Sequence, residues 1–162
     1  MRFIHIADVH LGASPDFGFP WNKAREQEIW DSLSRLIEKI KIEKTELLLI
    51  AGDLFHGQPL MRQLRELNFM LEQIPDTAVV LVAGNHDYIK KDSAYLKMQW
   101  APNVIGLWGE NCQSVYLEKL NTYVYGLSYH GRECKDAIYN RTFPGKDVNF
   151  RKEHPDANHI LL

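Results

Sequence analysis

The chain has 162 residues, of which 45% are hydrophobic and 25% are charged. This length allows one domain with a buried core, and the composition is ordinary for a soluble globular protein. The net charge of −2 excludes a global basic field, so any contact with nucleic-acid phosphates must come from a local patch.

Cysteine usage and the N-terminal sequence bear on location. Two cysteines, Cys112 and Cys134, make no disulfide framework, which fits a reducing cytoplasm. Polar residues such as Arg2 and Asp8 interrupt the first apolar stretch, so no signal peptide is predicted. No apolar run approaches the roughly 20 residues that a membrane helix needs. We therefore expect a cytoplasmic protein without membrane contact.

Short apolar runs and helical patterns alternate in the first half of the chain. Strands are predicted at 2–7, 46–51 and 78–83, because these runs are rich in branched residues. A helix that Asn22 could cap follows the first strand, and a helix with Pro59 in its first turn follows the second. Each helix has an apolar stripe at helical spacing: Ile29, Leu33, Leu36, Ile37 and Ile40 on the first, and Leu60, Leu64, Leu67, Leu71 and Ile74 on the second.

The second half of the chain has weaker patterns. The elements expected there are a short helix that Asp92 or Ser93 could cap, a short strand at 104–105, a hairpin of 114–118 and 122–127, a helix near 133–139, and a strand beginning at 160. Alternation of strands and helices, followed by a hairpin, predicts an α/β fold of two stacked sheets flanked by helices.

Ligand-type residues follow each of the three apolar runs directly. The groups are Asp8 with His10, Gly52 with Asp53, and the run Gly84-Asn85-His86-Asp87. Parallel strands end at the same edge of a sheet, which is where open α/β sheets place their sites. Carboxylate, imidazole and amide oxygen together suit divalent metals of the manganese, iron or zinc kind. The pattern therefore predicts a metal-dependent hydrolase.

The order of these motifs resembles the calcineurin-like metallophosphoesterase superfamily, and within it the SbcD-type DNA double-strand-break repair nucleases. The resemblance rests on segments 6–12 (IADVHLG), 51–56 (AGDLFH) and 84–87 (GNHD). It implies one domain over residues 1–162, a four-layer αββα sandwich that is truncated before its last strands. Three further histidine ligands of the family are not in this sequence, and 158–162 look like the start of the strand that precedes them.

The resemblance also implies a two-metal centre. Asp8 and His10 would hold one ion and Asn85 a second, with Asp53 bridging both. Manganese is the favoured metal, with iron and zinc as alternatives. Because the second site lacks its histidines, we expect the 162-residue chain to bind at most one ion well and to be nearly inert by itself. Singly, Asp8, Asp53 or Asn85 could cap a loop, but their joint placement favours ligation.

Three further motif residues are expected to take part in the chemistry. By resemblance, His86 would protonate the leaving oxygen rather than bind metal, and Asp87 would hold the His86 imidazole in the right tautomer. His56 would support the phosphate or the bridging ligand, with a packed histidine as the alternative. His5 is expected to be a core or supporting histidine of the first strand.

Candidate contact surfaces lie outside these motifs. The aromatic residues Phe17, Phe19 and Trp21 could stack on unpaired bases, although folding back onto the first helix is slightly favoured. The pair Lys90 and Lys91 could meet a phosphate backbone or be merely solvated. Phe69 lies opposite the leucine stripe of its helix. SbcD-type nucleases resemble one another in dimerising through helices of this region, so Phe69 and the helix near 95–98 are candidate homodimer contacts.

The expected function is a manganese-dependent phosphodiesterase that acts on DNA ends as an exonuclease or endonuclease in DNA repair. The resemblance implies a coiled-coil ATPase as partner. One alternative is another metallophosphoesterase, such as a small-molecule phosphodiesterase or a phosphatase. The other is a non-catalytic module of the same fold that binds a partner.

Overall fold

The computed structural model of the protein describes residues 1–134 and 153–162. Most of the helix expected near 133–139 lies outside the described residues. The elements are β1 (Phe3–Ile6), α1 (Asn22–Glu43), β2 (Leu47–Ala51), α2 (Met61–Leu71), β3 (Ala78–Val82), α3 (Ala94–Lys97), β4 (Val104–Gly106), β5 (Gln113–Leu117), β6 (Thr122–Gly126) and β7 (Asn158–Leu161). Each predicted strand is present, and its ends lie within two residues of the predicted positions.

The strands form two sheets. The first is parallel, in the order β1-β2-β3-β4, and the second has the order β5-β6-β7, with β5 antiparallel and β7 parallel to β6. The long helices α1 and α2 connect successive parallel strands, as parallel pairing requires. The carboxyl ends of β1, β2 and β3 therefore meet at one edge of the first sheet.

Side chains of β2 alternate between two apolar clusters, and the first four of its five residues are buried. Leu48 and Ile50 face the helices, whereas Leu47 and Leu49 face the second sheet. Burial on both faces explains the continuous apolar run in the sequence. The predicted α/β fold is confirmed, and the described residues supply a helical layer and two stacked sheets of the expected four layers.

The start of α2 differs from the prediction. Pro59 precedes the helix, and Leu60 takes an extended conformation before its first turn, with φ −79° and ψ 149°. The Leu60 side chain consequently leaves the leucine stripe and is 62% exposed, while the other four members of the stripe are buried. Gln63 helps to fix this start, because its Oε1 accepts a hydrogen bond from the Leu60 N–H at 2.9 Å.

The edge strand β1 has one uncovered face. Phe3 and His5 pair with Leu47 and Leu49, so they lie on the side of the sheet that faces β5–β7. Phe3 is nevertheless 52% exposed, and His5 is exposed as well. The expectation that His5 lies in the core is wrong, because the described second sheet leaves this face of β1 open to solvent.

Among the described helices, none combines the length and apolarity required to cross a membrane.

Candidate metal centre

Backbone hydrogen bonds hold the segment after β1 against the segment after β2. The N–H of Asp8 donates to the carbonyl of Gly52 at 3.2 Å, and the N–H of His10 donates to that of Asp53 at 3.0 Å. Asp8, His10 and Asp53 all have positive φ, at 53°, 53° and 47°, which is uncommon for residues other than glycine. This left-handed backbone turns the chain sharply at both strand ends, and the three side chains converge.

Two glycines permit the close approach of the next segment. Gly52 has φ +77°, and a Cβ there would lie 3.0 Å from the Cα of Gly84. A Cβ on Gly84 would overlap the carboxylate and the backbone nitrogen of Asp53. Gly84 is therefore required because Asp53 occupies the space that a side chain would fill.

Asp8, His10 and Asp53 form a candidate ligand set. The His10 Nε2 lies 3.9 Å from Asp8 Oδ1 and 4.0 Å from Asp53 Oδ2. One ligand atom from each residue lies within 4.8 Å of the others. The Asp8 side chain is 73% exposed and that of Asp53 only 10%, so the set is anchored on one side and open to solvent on the other. Two carboxylates and one imidazole in this arrangement fit a divalent ion of the manganese, iron or zinc type.

A cleft of about 520 Å³ adjoins this set, lined on one side by Asp8, Asp53 and Asn85 and on the other by Cys112, Tyr129 and Leu161. Asn85 is exposed, and the structure brings it to the same cleft as the two carboxylates, as the sequence predicts. The cleft lies between the two sheets at the carboxyl ends of the parallel strands, and its volume is typical of a ligand pocket.

Three histidines form a second cluster at the same edge. The Nδ1 atoms of His10 and His56 are 3.3 Å apart, and the three ring centroids of His10, His56 and His86 are separated by 4.9 to 5.3 Å. His56 is exposed, so it is not a packed histidine of the core. Its ring lies beside that of His10 although the two residues are 46 positions apart in the chain.

The backbone fixes the orientation of His86. Its N–H donates to Asp53 Oδ1 at 2.9 Å. Its Nδ1 lies 3.0 Å from the carbonyl oxygen of His56, and since a carbonyl can only accept, Nδ1 carries the proton and donates. In the neutral ring, Nε2 then holds the lone pair.

The structure corrects the role expected for Asp87. Its side chain is fully buried. Oδ1 accepts a hydrogen bond from the Gly84 N–H at 2.8 Å, and Oδ2 accepts from the Phe55 N–H at 3.0 Å and the Tyr95 hydroxyl at 2.7 Å. Burial raises the pKa of the Asp87 carboxyl, and these hydrogen bonds partly offset that effect. Asp87 therefore joins the loops after β2 and β3 to α3 and does not orient the His86 ring.

The helix near 95–98 is a candidate homodimer contact, and the structure shows that Tyr95 does not lie on its exposed side. Tyr95 is 2% exposed and stacks on Trp108 with ring centroids 4.6 Å apart. Burial, followed by the charge of Asp87, raises the pKa of the Tyr95 hydroxyl well above its usual range. Leu96, which is 49% exposed, is the apolar residue of α3 that faces solvent.

The aromatic segment after the first motif is exposed. Phe17 is 88% exposed, Phe19 54% and Trp21 51%, so the favoured expectation that they fold back onto α1 is wrong. Phe19 and Trp21 stack on each other at 4.9 Å, and the Trp21 Nε1–H donates to Asp16 Oδ2 at 3.1 Å. Contact of this segment with DNA stays a prediction.

The other candidate contact residues are exposed too. Lys90 and Lys91 lie on the surface, and the Lys90 ammonium lies 5.1 Å from the centroid of the Tyr88 ring. Phe69 is 65% exposed on α2, on the side away from the buried leucines. Exposure permits the predicted phosphate and dimer contacts, which stay predictions.

The structure places acidic and imidazole side chains at the carboxyl ends of the parallel strands of a two-sheet α/β fold. A family model described as calcineurin-like phosphoesterase matches residues 1–160. The chain belongs to the calcineurin-like phosphoesterase family, which confirms the resemblance found in the motifs.

The individual relatives include DNA double-strand break repair proteins and a subunit of a nuclease. The chain is 36% identical over 134 residues to the DNA double-strand break repair protein Mre11 of Archaeoglobus fulgidus, covering 74% of this chain and 29% of the relative. It is 33% identical over 153 residues to Mre11 of Methanopyrus kandleri, covering 93% of this chain and 29% of the relative. It is 30% identical over 92 residues to the SbcD component of the nuclease SbcCD of Escherichia coli strain K12, covering 55% of this chain and 22% of the relative. The chain thus spans under a third of the length of these relatives.

Proposed function

We propose that the protein is a manganese-dependent phosphodiesterase that hydrolyses DNA ends in double-strand-break repair. The observation that carries the proposal is the convergence of Asp8, His10 and Asp53 beside the cleft that Asn85 lines. Similarity to Mre11 and to the SbcD component of SbcCD, whose names describe DNA repair proteins and a nuclease, supports DNA as the substrate.

In this proposal the chain supplies ligands for two ions. Asp8, His10 and Asp53 hold the first, and Asn85 contributes to the second together with Asp53. Asn85 ligates through an amide oxygen, so it adds no negative charge that would repel an anionic substrate. When bound, a pair of divalent ions activates water and neutralises charge on the phosphoryl oxygens.

His86 is the proposed proton donor. The carbonyl of His56 accepts from its Nδ1, so the imidazolium form of His86 carries its second proton on Nε2 and can deliver it to the leaving oxygen. The hydrogen bond from its backbone N–H to Asp53 fixes His86 relative to the proposed bridging carboxylate. A positioned general acid of this kind contributes about 10²–10⁴-fold to the rate. His56 acts here as a positioning residue, through its carbonyl on His86 and its ring beside His10.

The proposal includes partners and location. The exposed segment with Phe17, Phe19 and Trp21, together with Lys90 and Lys91, would contact DNA. Exposed Phe69 on α2 would lie at a homodimer contact, and a coiled-coil ATPase would be the working partner by family resemblance. A cytoplasmic location is proposed from the absence of a disulfide framework in the sequence.

A paired substrate assay tests the proposal. The protein at its full natural length would be incubated with Mn²⁺ and either end-labelled DNA or a chromogenic phosphodiester. We expect degradation of DNA in preference to the small ester, and loss of that activity in Asp53→Asn but not in Asp31→Asn, which changes an exposed aspartate of α1. Preference for the small ester would favour a small-molecule phosphodiesterase, and activity on neither substrate would favour a non-catalytic module.

A further inference from the structure

We propose that His10, His56 and His86 form a Zn²⁺ site, and that occupation of this site excludes a metal ion from the Asp8, His10 and Asp53 set. The exclusion rests on the metal set of the proposed function, whereas the zinc site itself depends on the histidine cluster alone. The two sites share a single residue, His10.

The spacing of the imidazole nitrogens fits zinc. Zinc binds histidine nitrogen at about 2.0–2.1 Å in tetrahedral geometry, which puts two such nitrogens about 3.3–3.4 Å apart. The Nδ1 atoms of His10 and His56 already lie 3.3 Å apart, and one ring nitrogen of each of the three histidines lies within 4.8 Å of the others. Because His56 and His86 are exposed, their side chains would adjust on zinc binding in this proposal, so that one nitrogen of each histidine reaches the same ion.

One member of the cluster already has the support typical of a metal-binding histidine. Such histidines donate their second ring N–H to a carbonyl or carboxylate, which fixes the tautomer and directs the lone pair of the other nitrogen at the metal. The Nδ1 of His86 has this contact with the carbonyl of His56 at 3.0 Å. His86 is therefore prepared to ligate through Nε2.

The two sets differ in the metal that they favour. An all-imidazole site is suited to zinc, whereas carboxylate ligands suit manganese, and zinc lies above manganese in the general order of affinities. The histidine cluster should consequently take Zn²⁺ at concentrations where it does not hold Mn²⁺. The set with Asp8 and Asp53 should retain Mn²⁺ when zinc is absent.

His10 makes the two sites alternatives. Its Nε2 faces the carboxylates of Asp8 and Asp53 at 3.9 and 4.0 Å, and its Nδ1 faces His56 at 3.3 Å. A neutral imidazole has one nitrogen with a lone pair and one with a proton, so His10 can ligate through one side or the other. Zinc bound by the cluster would remove His10 from the manganese set and His86 from proton transfer, and it would inhibit the enzyme.

Metal binding to paired variants tests the proposal. Affinity for Zn²⁺ would be measured by calorimetry, Co²⁺ absorption would report the geometry of the histidine site, and bound Mn²⁺ would be followed by electron paramagnetic resonance. His56→Gln removes an imidazole but keeps an acceptor for the His10 ring. Zn²⁺ affinity should therefore fall by at least the roughly 10–100-fold that loss of a ligand-orienting partner costs, while most Mn²⁺ affinity remains. Asp8→Asn should weaken Mn²⁺ binding and keep most Zn²⁺ affinity. His10→Ala should weaken the binding of both ions. His5→Ala, which removes an exposed histidine of β1, should weaken neither.

Zn²⁺ added to the Mn²⁺-loaded wild type should release Mn²⁺. Unchanged Zn²⁺ affinity in His56→Gln, with native circular dichroism, would overturn the site, because zinc would then occupy the carboxylate set. Simultaneous binding of Zn²⁺ and Mn²⁺ would overturn the exclusion. Absence of nuclease activity with intact Zn²⁺ binding to the cluster would count against the proposed function alone.

Discussion

Replacing Asp87 with alanine should destabilise the fold rather than disable proton transfer. The substitution leaves three buried donors without an acceptor, namely the N–H groups of Gly84 and Phe55 and the hydroxyl of Tyr95. An unsatisfied buried donor costs about 1–3 kcal/mol, so three cost about 3–9 kcal/mol before relaxation. Rotation of the tyrosine hydroxyl and entry of water relieve part of this, and we expect a loss of about 3–5 kcal/mol, in the lower half of that range.

Urea denaturation followed by circular dichroism measures this loss. Because small domains have free energies of unfolding of about 5–15 kcal/mol, the variant should unfold at much lower urea but remain folded in buffer. Tyr95→Phe removes one of the three hydrogen bonds and should cost about 1.5–3 kcal/mol. Asp92→Ala, at an exposed aspartate nearby in the chain, is the matched control and should be neutral.

The outcome separates the two roles considered for Asp87. A loss below about 1 kcal/mol in Asp87→Ala would contradict the hydrogen-bond argument. Normal stability combined with a large loss of turnover would restore the original expectation that Asp87 orients the His86 ring.

Three other substitutions test the site and its surroundings. His86→Ala should keep bound Mn²⁺ by elemental analysis and lose about 10²–10⁴-fold in turnover; loss of Mn²⁺ or a wild-type rate would contradict its role as proton donor. Gly84→Ala should displace Asp53 and weaken Mn²⁺ binding. Gly57→Ala is the control, because a Cβ there meets nothing within 4 Å, and it should leave Mn²⁺ binding unchanged. Equal Mn²⁺ affinities in the two variants would refute the steric argument. Phe69→Glu should shift the protein to monomer in sedimentation, and a wild type already monomeric at high concentration would remove the dimer proposal.

The strand positions and the convergence of the ligands were predictable from the sequence, because local patterns encode both. Buried parallel strands read as continuous apolar runs such as 47–51, and the chain direction then places Asp8, Asp53 and Asn85 at one edge of the sheet. Gly52 and Gly84 carried a further local signal, since a sharp turn beside a ligand favours glycine.

Contacts between distant segments were not predictable in this way. The hydrogen bond from Phe55 to Asp87 joins residues 32 positions apart. Its donor is the backbone N–H of Phe55, and the residue type does not indicate where a backbone N–H donates. The proximity of His10 to His56 likewise depends on how two loops lie side by side. The exposure of Phe17 was misjudged because aromatic composition alone does not say whether a loop folds back onto its neighbouring helix.

Titration of the 162-residue chain with Mn²⁺ tests the central claim most directly. The account predicts one tightly bound ion, because Asp8, His10 and Asp53 offer three ligands, whereas Asn85 and Asp53 without an imidazole should hold a second ion poorly. Asp53→Ala should abolish tight binding, and Asp31→Ala should preserve it. No tight ion in the wild type, or an unchanged ion in Asp53→Ala, would contradict the assignment of the metal centre. Two tight ions would show that this chain completes the second site with ligands other than those assigned.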